Sequence, residues 1–157
     1  MTRDDLASLL LRLAPDLDGL AEPWTVIGSA AMILAGADWP DCADLDILTT
    51  AAGAQALEAA WADWRRPGEP PPPDGPFRSR FSRYDFAPGA VEVMGELEVR
   101  TPEGWTRLAP GAPVWRPLGP RTWPAPDLAR QVAILKLFGR PKDLAKAAFL
   151  EGRGCAK

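Results

Sequence analysis

No histidine occurs among the 157 residues, and only two cysteines, Cys42 and Cys155. Without imidazole there is no Ser-His-Asp or Cys-His relay and no histidine-ligated zinc. Two cysteines far apart in the chain form neither a disulfide framework nor a zinc spacing. Any chemistry must come from carboxylates, Lys or Arg, hydroxyls, backbone dipoles or an oxygen-liganded metal. A long apolar run is missing too. No stretch of about 18 uncharged apolar residues occurs, so no membrane span is expected. The opening MTRDDLASLLLRLAPDL carries acids and an arginine where a signal peptide needs a clean apolar centre, so a cytoplasmic location is expected. Positive charge is in short supply: 18 Lys and Arg stand against 21 Asp and Glu, a net charge of −3. Non-specific nucleic-acid binding rests on phosphate neutralisation, so long DNA or RNA is a disfavoured partner. A small phosphorylated ligand in a local basic pocket remains compatible with this charge.

What is present is ordinary for a globular chain: 46% hydrophobic and 25% charged residues. The length suits one domain spanning residues 1–157 with a sizeable core. Residues 3–13 place Leu6, Leu9, Leu10 and Leu13 at helical spacing behind first-turn acids. PWTVIG (23–28) reads as a buried strand, and SAAMILAG (29–36) as a short helix closed by Gly36. ADLDILTT (43–50) alternates at period two, a half-buried strand. A helix is expected over 52–66, with Leu57, Trp61 and Trp64 on one stripe. PGEPPPPDGP (67–76) is a loop or polyproline spacer inside the domain. FRSRFSRYDF (77–86) and AVEVMGELEVR (90–100), joined across Pro88-Gly89, read as a β-hairpin. Short strands are expected near Trp105 and Val114, then helices over 126–139 and 141–151, with Pro141 at a first-turn position. This order suits an α/β or α+β fold, a sheet flanked by helices with a C-terminal helix pair.

Three acids and a Gly-Ser pair carry the chemical interest. Side chains at i and i+2 of a strand share a face, so Asp44 and Asp46 converge while Leu45 and Ile47 face the core. Paired divalent ions in phosphoryl transfer need oxygen ligands at about this spacing. Glu92, between two valines at the centre of a strand, is the expected third carboxylate, with Glu96 and Glu98 as alternatives. Gly28 lets backbone approach a ligand closely, and Ser29 opens a helix whose N–H groups and hydroxyl suit phosphate oxygens. Singly these features are commonplace. Asp-x-Asp is usually a solvated strand face, and Gly-Ser a turn with a cap.

Taken in order, TVIGS, DLD and VEV resemble the nucleotidyltransferase superfamily, the polymerase-β-like fold, in its small bacterial AbiEii-like or minimal branch. AILKLFGRPKDLAKAAFL is similar to the C-terminal helix pair of that branch and places Lys136, Arg140, Lys142 and Asp143. Two departures stand out. DWPDCA precedes the first acid where relatives carry a basic or hydroxyl residue, and Lys146 stands where many have an aspartate. The resemblance implies a mixed sheet flanked by helices and a site in which Asp44, Asp46 and Glu92 are both catalytic residues and ligands of Mg²⁺ or Mn²⁺. It also implies Gly28, Ser29, Lys136, Arg140 and Lys142 as nucleotide-binding residues. Independently of the resemblance, the basic residues among them equally suit the end of a helix dipole, with an Arg140–Asp143 ion pair stapling the turn.

The expected activity is transfer of a nucleoside monophosphate from a triphosphate, ATP by preference, to an acceptor hydroxyl on a protein, RNA or small molecule. The alternative is a non-catalytic binding module of the same fold, or a toxin–antitoxin partner. Arg78 and Arg80 share a strand face beside the partner that carries Glu92; a solvated face is the expected reading, with balancing the acids or reaching a triphosphate as the alternative. Arg83 and Trp39 are further candidates, Trp39 for stacking on a base.

Overall fold

The computed structural model describes residues 1–40, 42–67 and 71–154. Asp41, residues 68–70 of the proline-rich loop and Cys155 lie outside them. The first helix, α1 (Arg3–Asp18), opens on a capping box: Thr2 Oγ1 accepts from the Asp5 N–H at 3.0 Å, and Asp5 accepts from the Thr2 N–H at 2.8 Å. It outruns the expected 3–13 span and carries Pro15 in its last turns. Leu13 and Leu17 extend the buried stripe begun by Leu6, Leu9 and Leu10, each worth about 2 kcal/mol of burial.

The strand β1 (Trp24–Ile27) leads into helix α2 (Gly28–Leu34), and β2 (Asp44–Thr49) into α3 (Ala51–Ala60). The helix expected over 52–66 therefore stops early. Trp61 is buried at its end, edge-on to Tyr84 and Phe86 at 5.2 and 5.4 Å, and its indole N–H donates to Asp16. The chain then turns through a 3₁₀ turn into the short β3 (Arg65–Arg66), which pairs with β4 (Phe77–Asp85). Cross-strand bonds outweigh helix propensity at this edge.

The hairpin expected over 77–100 forms from β4 and β5 (Ala90–Thr101). A six-stranded mixed sheet results, in the order β1-β2-β5-β4-β3, with β6 (Gly104–Arg107) pairing the far end of β5. The pair β2–β5 is parallel; its other neighbours are antiparallel. A bulge beside Glu96, a non-glycine residue at φ 53°, shifts the β4–β5 register. β7 (Val114–Leu118) and β8 (Arg121–Ala125) form a separate hairpin, of which β8 was not read from the sequence. Two helices end the chain, α4 (Leu128–Phe138), capped by Asp127 and Gly139, and α5 (Pro141–Gly154).

One face of the sheet carries Leu45, Ile47, Val91 and Val93 into a core with the leucines of α1 and with Ala54 and Leu57 of α3. Gly95 lets α3 sit close: a Cβ there would lie 2.7 Å from the Ala54 Cβ. The opposite face packs Leu48 and Leu97 against Ile134 of α4, while Met32, Leu135, Ala147 and Leu150 tie α2 to α4 and α5. Between α4–α5 and this second face a cleft stays open. No helix among the described residues is long and apolar enough to cross a membrane.

Candidate active site

The acids meet because of one parallel pairing. In the β2–β5 register Asp46 lies opposite Glu92, and Asp44 opposite Ala90. Paired residues share a face, and Asp44 shares it by period two, so all three carboxylates leave the sheet on the cleft side. Leu45 and Ile47, fully buried, point the other way. Gly28 fits against the floor of the cluster. Its φ of +68° suits glycine, and a Cβ would lie 2.7 Å from Asp46 Oδ2. The main chain therefore passes beside a carboxylate as closely as it can.

A cation already stands among the acids. Arg83, opposite Glu92 in the hairpin register, donates through Nη1 to Asp44 Oδ2 at 3.4 Å and to Glu92 Oε1. Asp46 gains less from this pairing. Burial, then the charges of Asp44 and Glu92, push its carboxyl well above the ordinary carboxylate range, against a weaker opposing pull from Lys146. The three side chains are hard oxygen donors of the type Mg²⁺ or Mn²⁺ takes. Among the described residues no three acid or thiol groups yet close around a metal-sized point; a guanidinium occupies the gap. The donor chemistry fits a divalent cation, with Arg83 standing in for its charge.

The cleft extends over about 660 Å³ from this cluster. Gly28 and Ser29 line it on one side, Lys142 and Lys146 of α5 on another, and Phe77, Phe81 and Met94 continue its sheet wall. Trp39 also borders it, with its ring edge-on to Phe149 at 5.1 Å.

No family model matches the chain, and no curated protein matches it. Solved structures do. A candidate nucleotidyltransferase from Thermotoga maritima superposes with a TM-score of 0.76 at 22% identity, covering 100% of this chain and 97% of its own. The chain has the nucleotidyltransferase fold. The antibiotic-resistance factor ANT(2'')-Ia matches at TM-score 0.60 and 12% identity, over 95% of this chain and 83% of its own. LnuA, a lincosamide antibiotic adenylyltransferase with lincomycin bound, matches at 0.59 and 15%, over 96% and 97%. These matches do not single out an AbiEii-like branch.

Within this nucleotidyltransferase fold the sequence-predicted residues are unevenly gathered. Asp44, Asp46, Glu92, Gly28, Ser29, Arg140 and Lys142 all border the cleft. Lys136 does not; its ammonium pairs with Glu151 at 3.0 Å on the outer side of the helix pair. Arg140 is held by Asp143 at 2.6 and 3.1 Å, and its guanidinium lies over Phe77, 4.9 Å from the ring centre. Arg78 and Arg80 lie on an exposed strand face, and the alternative that they reach the acids does not hold. Their strand face is the one opposite the acids: Arg78 pairs with Glu98 and covers Trp105, and Arg80 pairs with Glu58 of α3. Glu98 is thereby engaged elsewhere, and neither it nor Glu96 borders the cleft. Two residues at the site, Lys146 on the cleft and Arg83 against the acids, were not assigned a binding role from sequence. Lys146 was legible as one helical turn beyond Lys142. Arg83 was singled out, but its position opposite Glu92 depends on the hairpin register.

Proposed function

We propose that the cleft binds a nucleoside triphosphate, ATP by preference, with Mg²⁺, and transfers the nucleoside monophosphate to an acceptor hydroxyl, the whole chain acting as one unit. The observation that carries this reading is the convergence of Asp44, Asp46 and Glu92 on one sheet face, with the Gly28 backbone against Asp46. The likeness to an adenylyltransferase of similar length supports it.

In this reading the three acids would hold the metal, which when bound supplies charge neutralisation at the reacting phosphate. Gly28 and Ser29 take the outer phosphates, and Lys142 and Lys146 on the cleft rim balance the charge of the leaving pyrophosphate. Glu92 accepts the proton of the attacking hydroxyl. The acceptor oxygen forms a bond to the α-phosphorus as the bond to the bridging α,β-oxygen breaks, and pyrophosphate carries away that electron pair. Arg83 must leave Asp44 and Glu92 when a metal binds.

Isothermal titration with Mg-ATP, with an Asp44→Asn/Asp46→Asn variant as control, tests the proposal. Heat of binding is expected from the wild type alone, and equal heats would remove the site. The Arg83 pairing favours one second reading, a non-catalytic module whose acids are permanently neutralised from within. Incubation with α-labelled ATP and protein, tRNA or aminoglycoside acceptors separates the two. Transfer of label supports the enzyme; binding without transfer supports the module.

A further inference from the structure

The two flanks of the acid cluster differ in chemistry. On the β1 side are Gly28 and Ser29, which follow directly on Ile27, the residue paired with Asp46. On the β4 side the cleft wall is apolar. Phe77, Ser79 and Phe81 alternate along β4 on the face that also carries Arg83, and Met94 lies opposite Phe81, one strand repeat beyond Glu92. Leu97 follows past the bulge, and Phe138 of α4 closes the wall edge-on to Phe77 at 5.1 Å. Phe77, Phe81, Met94 and Phe138 are only half-buried, so they present surface to the cleft. Among the described residues of β4, β5 and α4 that form this wall, Ser79 offers the one polar side chain. The nearest cation, Arg140, is held by Asp143.

In-line displacement fixes what this wall can serve. The attacking oxygen and the leaving oxygen lie on opposite sides of the α-phosphorus. If pyrophosphate departs toward Gly28 and Ser29, the acceptor arrives from the β5–β4 side, past Glu92 and along the apolar wall. We infer that this wall is the acceptor subsite and that the acceptor is a small alcohol with an apolar body of aromatic size. A nucleic-acid acceptor would bring phosphates needing available cations, and a polyhydroxylated sugar would need several polar partners where one hydroxyl is offered. The inference rests on the transferase reading for the word acceptor; the apolar subsite itself stands on the wall alone.

The test uses 2-(1-naphthyl)ethanol as probe, followed by ligand-observed saturation-transfer NMR and titration, alone and with Mg²⁺ and the non-transferable α,β-methylene analogue of ATP. The alcohol is expected to bind the wild type equally well or better beside the nucleotide analogue. Phe81→Gln and Met94→Gln should weaken it by about tenfold, the scale set by apolar pocket contacts, while both variants keep nucleotide affinity. The near-isosteric Met94 change guards against a folding artefact. Displacement of the alcohol by the analogue would assign the wall to the nucleobase and overturn the inference. So would equal binding of sorbitol, or no binding of the alcohol. Titration of the analogue on the same samples keeps the two claims apart: alcohol binding without nucleotide binding supports the apolar subsite and counts against the transferase reading.

Discussion

Replacing Arg83 with glutamine removes the guanidinium that stands between Asp44 and Glu92 and leaves their charges facing each other. The metal-free protein should lose stability, and Mn²⁺, measured by electron paramagnetic resonance, should bind more tightly, by about tenfold for a competing charge worth about 1.4 kcal/mol. Unchanged or weaker Mn²⁺ binding would show that Arg83 does not compete for the cation's place. Asp46 offers a pH test. Its carboxyl is held well above the ordinary range by burial and by Asp44 and Glu92. Between the ordinary and raised values the native state keeps a proton that the unfolded chain has lost, so stability falls as pH rises through that window. Thermal melts from about pH 4 upward should slope downward in the wild type and flatten in Asp46→Asn; parallel slopes would contradict the assignment. Cys42 behaves differently. Burial pushes its thiol up to about 11, so a thiol reagent at neutral pH should modify it only after unfolding, a difference that peptide mass spectrometry resolves.

Among the elements, the close approaches at two glycines are the points most sensitive to substitution. Gly28→Ala would strain a positive φ and press a methyl against the Asp46 carboxylate, a cost of about 1–3 kcal/mol seen as a lower melting temperature together with weaker Mn²⁺ binding. Gly95→Ala would press on Ala54 and on the Thr50 carbonyl, lifting α3 from the sheet. It should destabilise comparably while leaving Mn²⁺ affinity nearly unchanged, because α3 lies on the face away from the acids. Such elements were partly legible in the chain. The β4–β5 hairpin, β1, β2 and the C-terminal helix pair follow from period and turn residues. The overextended helix at 52–66 shows the limit: Arg65 and Arg66 suit a helix locally, but β4 offers them cross-strand bonds. Arg83 shows another. Period two along β4 puts it on the face opposite Arg78 and Arg80, but which of the two faces Glu92 shares follows from the register set across the turn between Asp85 and Ala90.

In the whole molecule the decisive contact is the least local. Residues 44–49 and 90–95 pair in parallel across α3 and the β4 strand, and no local pattern specifies that pairing or its register. The sequence made the acids recognisable as candidates; their convergence, the Arg83 counter-ion and the apolar wall beside Glu92 emerge from the sheet. The proposed separation of function between flanks, phosphates beside β1 and acceptor beside β4, would likewise be a property of strand order. A crystal soaked with Mn²⁺ and a non-hydrolysable triphosphate tests this account most directly. It predicts an anomalous peak bounded by Asp44, Asp46 and Glu92, outer phosphates beside Gly28 and Ser29, and Arg83 turned away from the acids. Nucleotide bound elsewhere, or Arg83 still seated between Asp44 and Glu92 with no peak beside them, would contradict it.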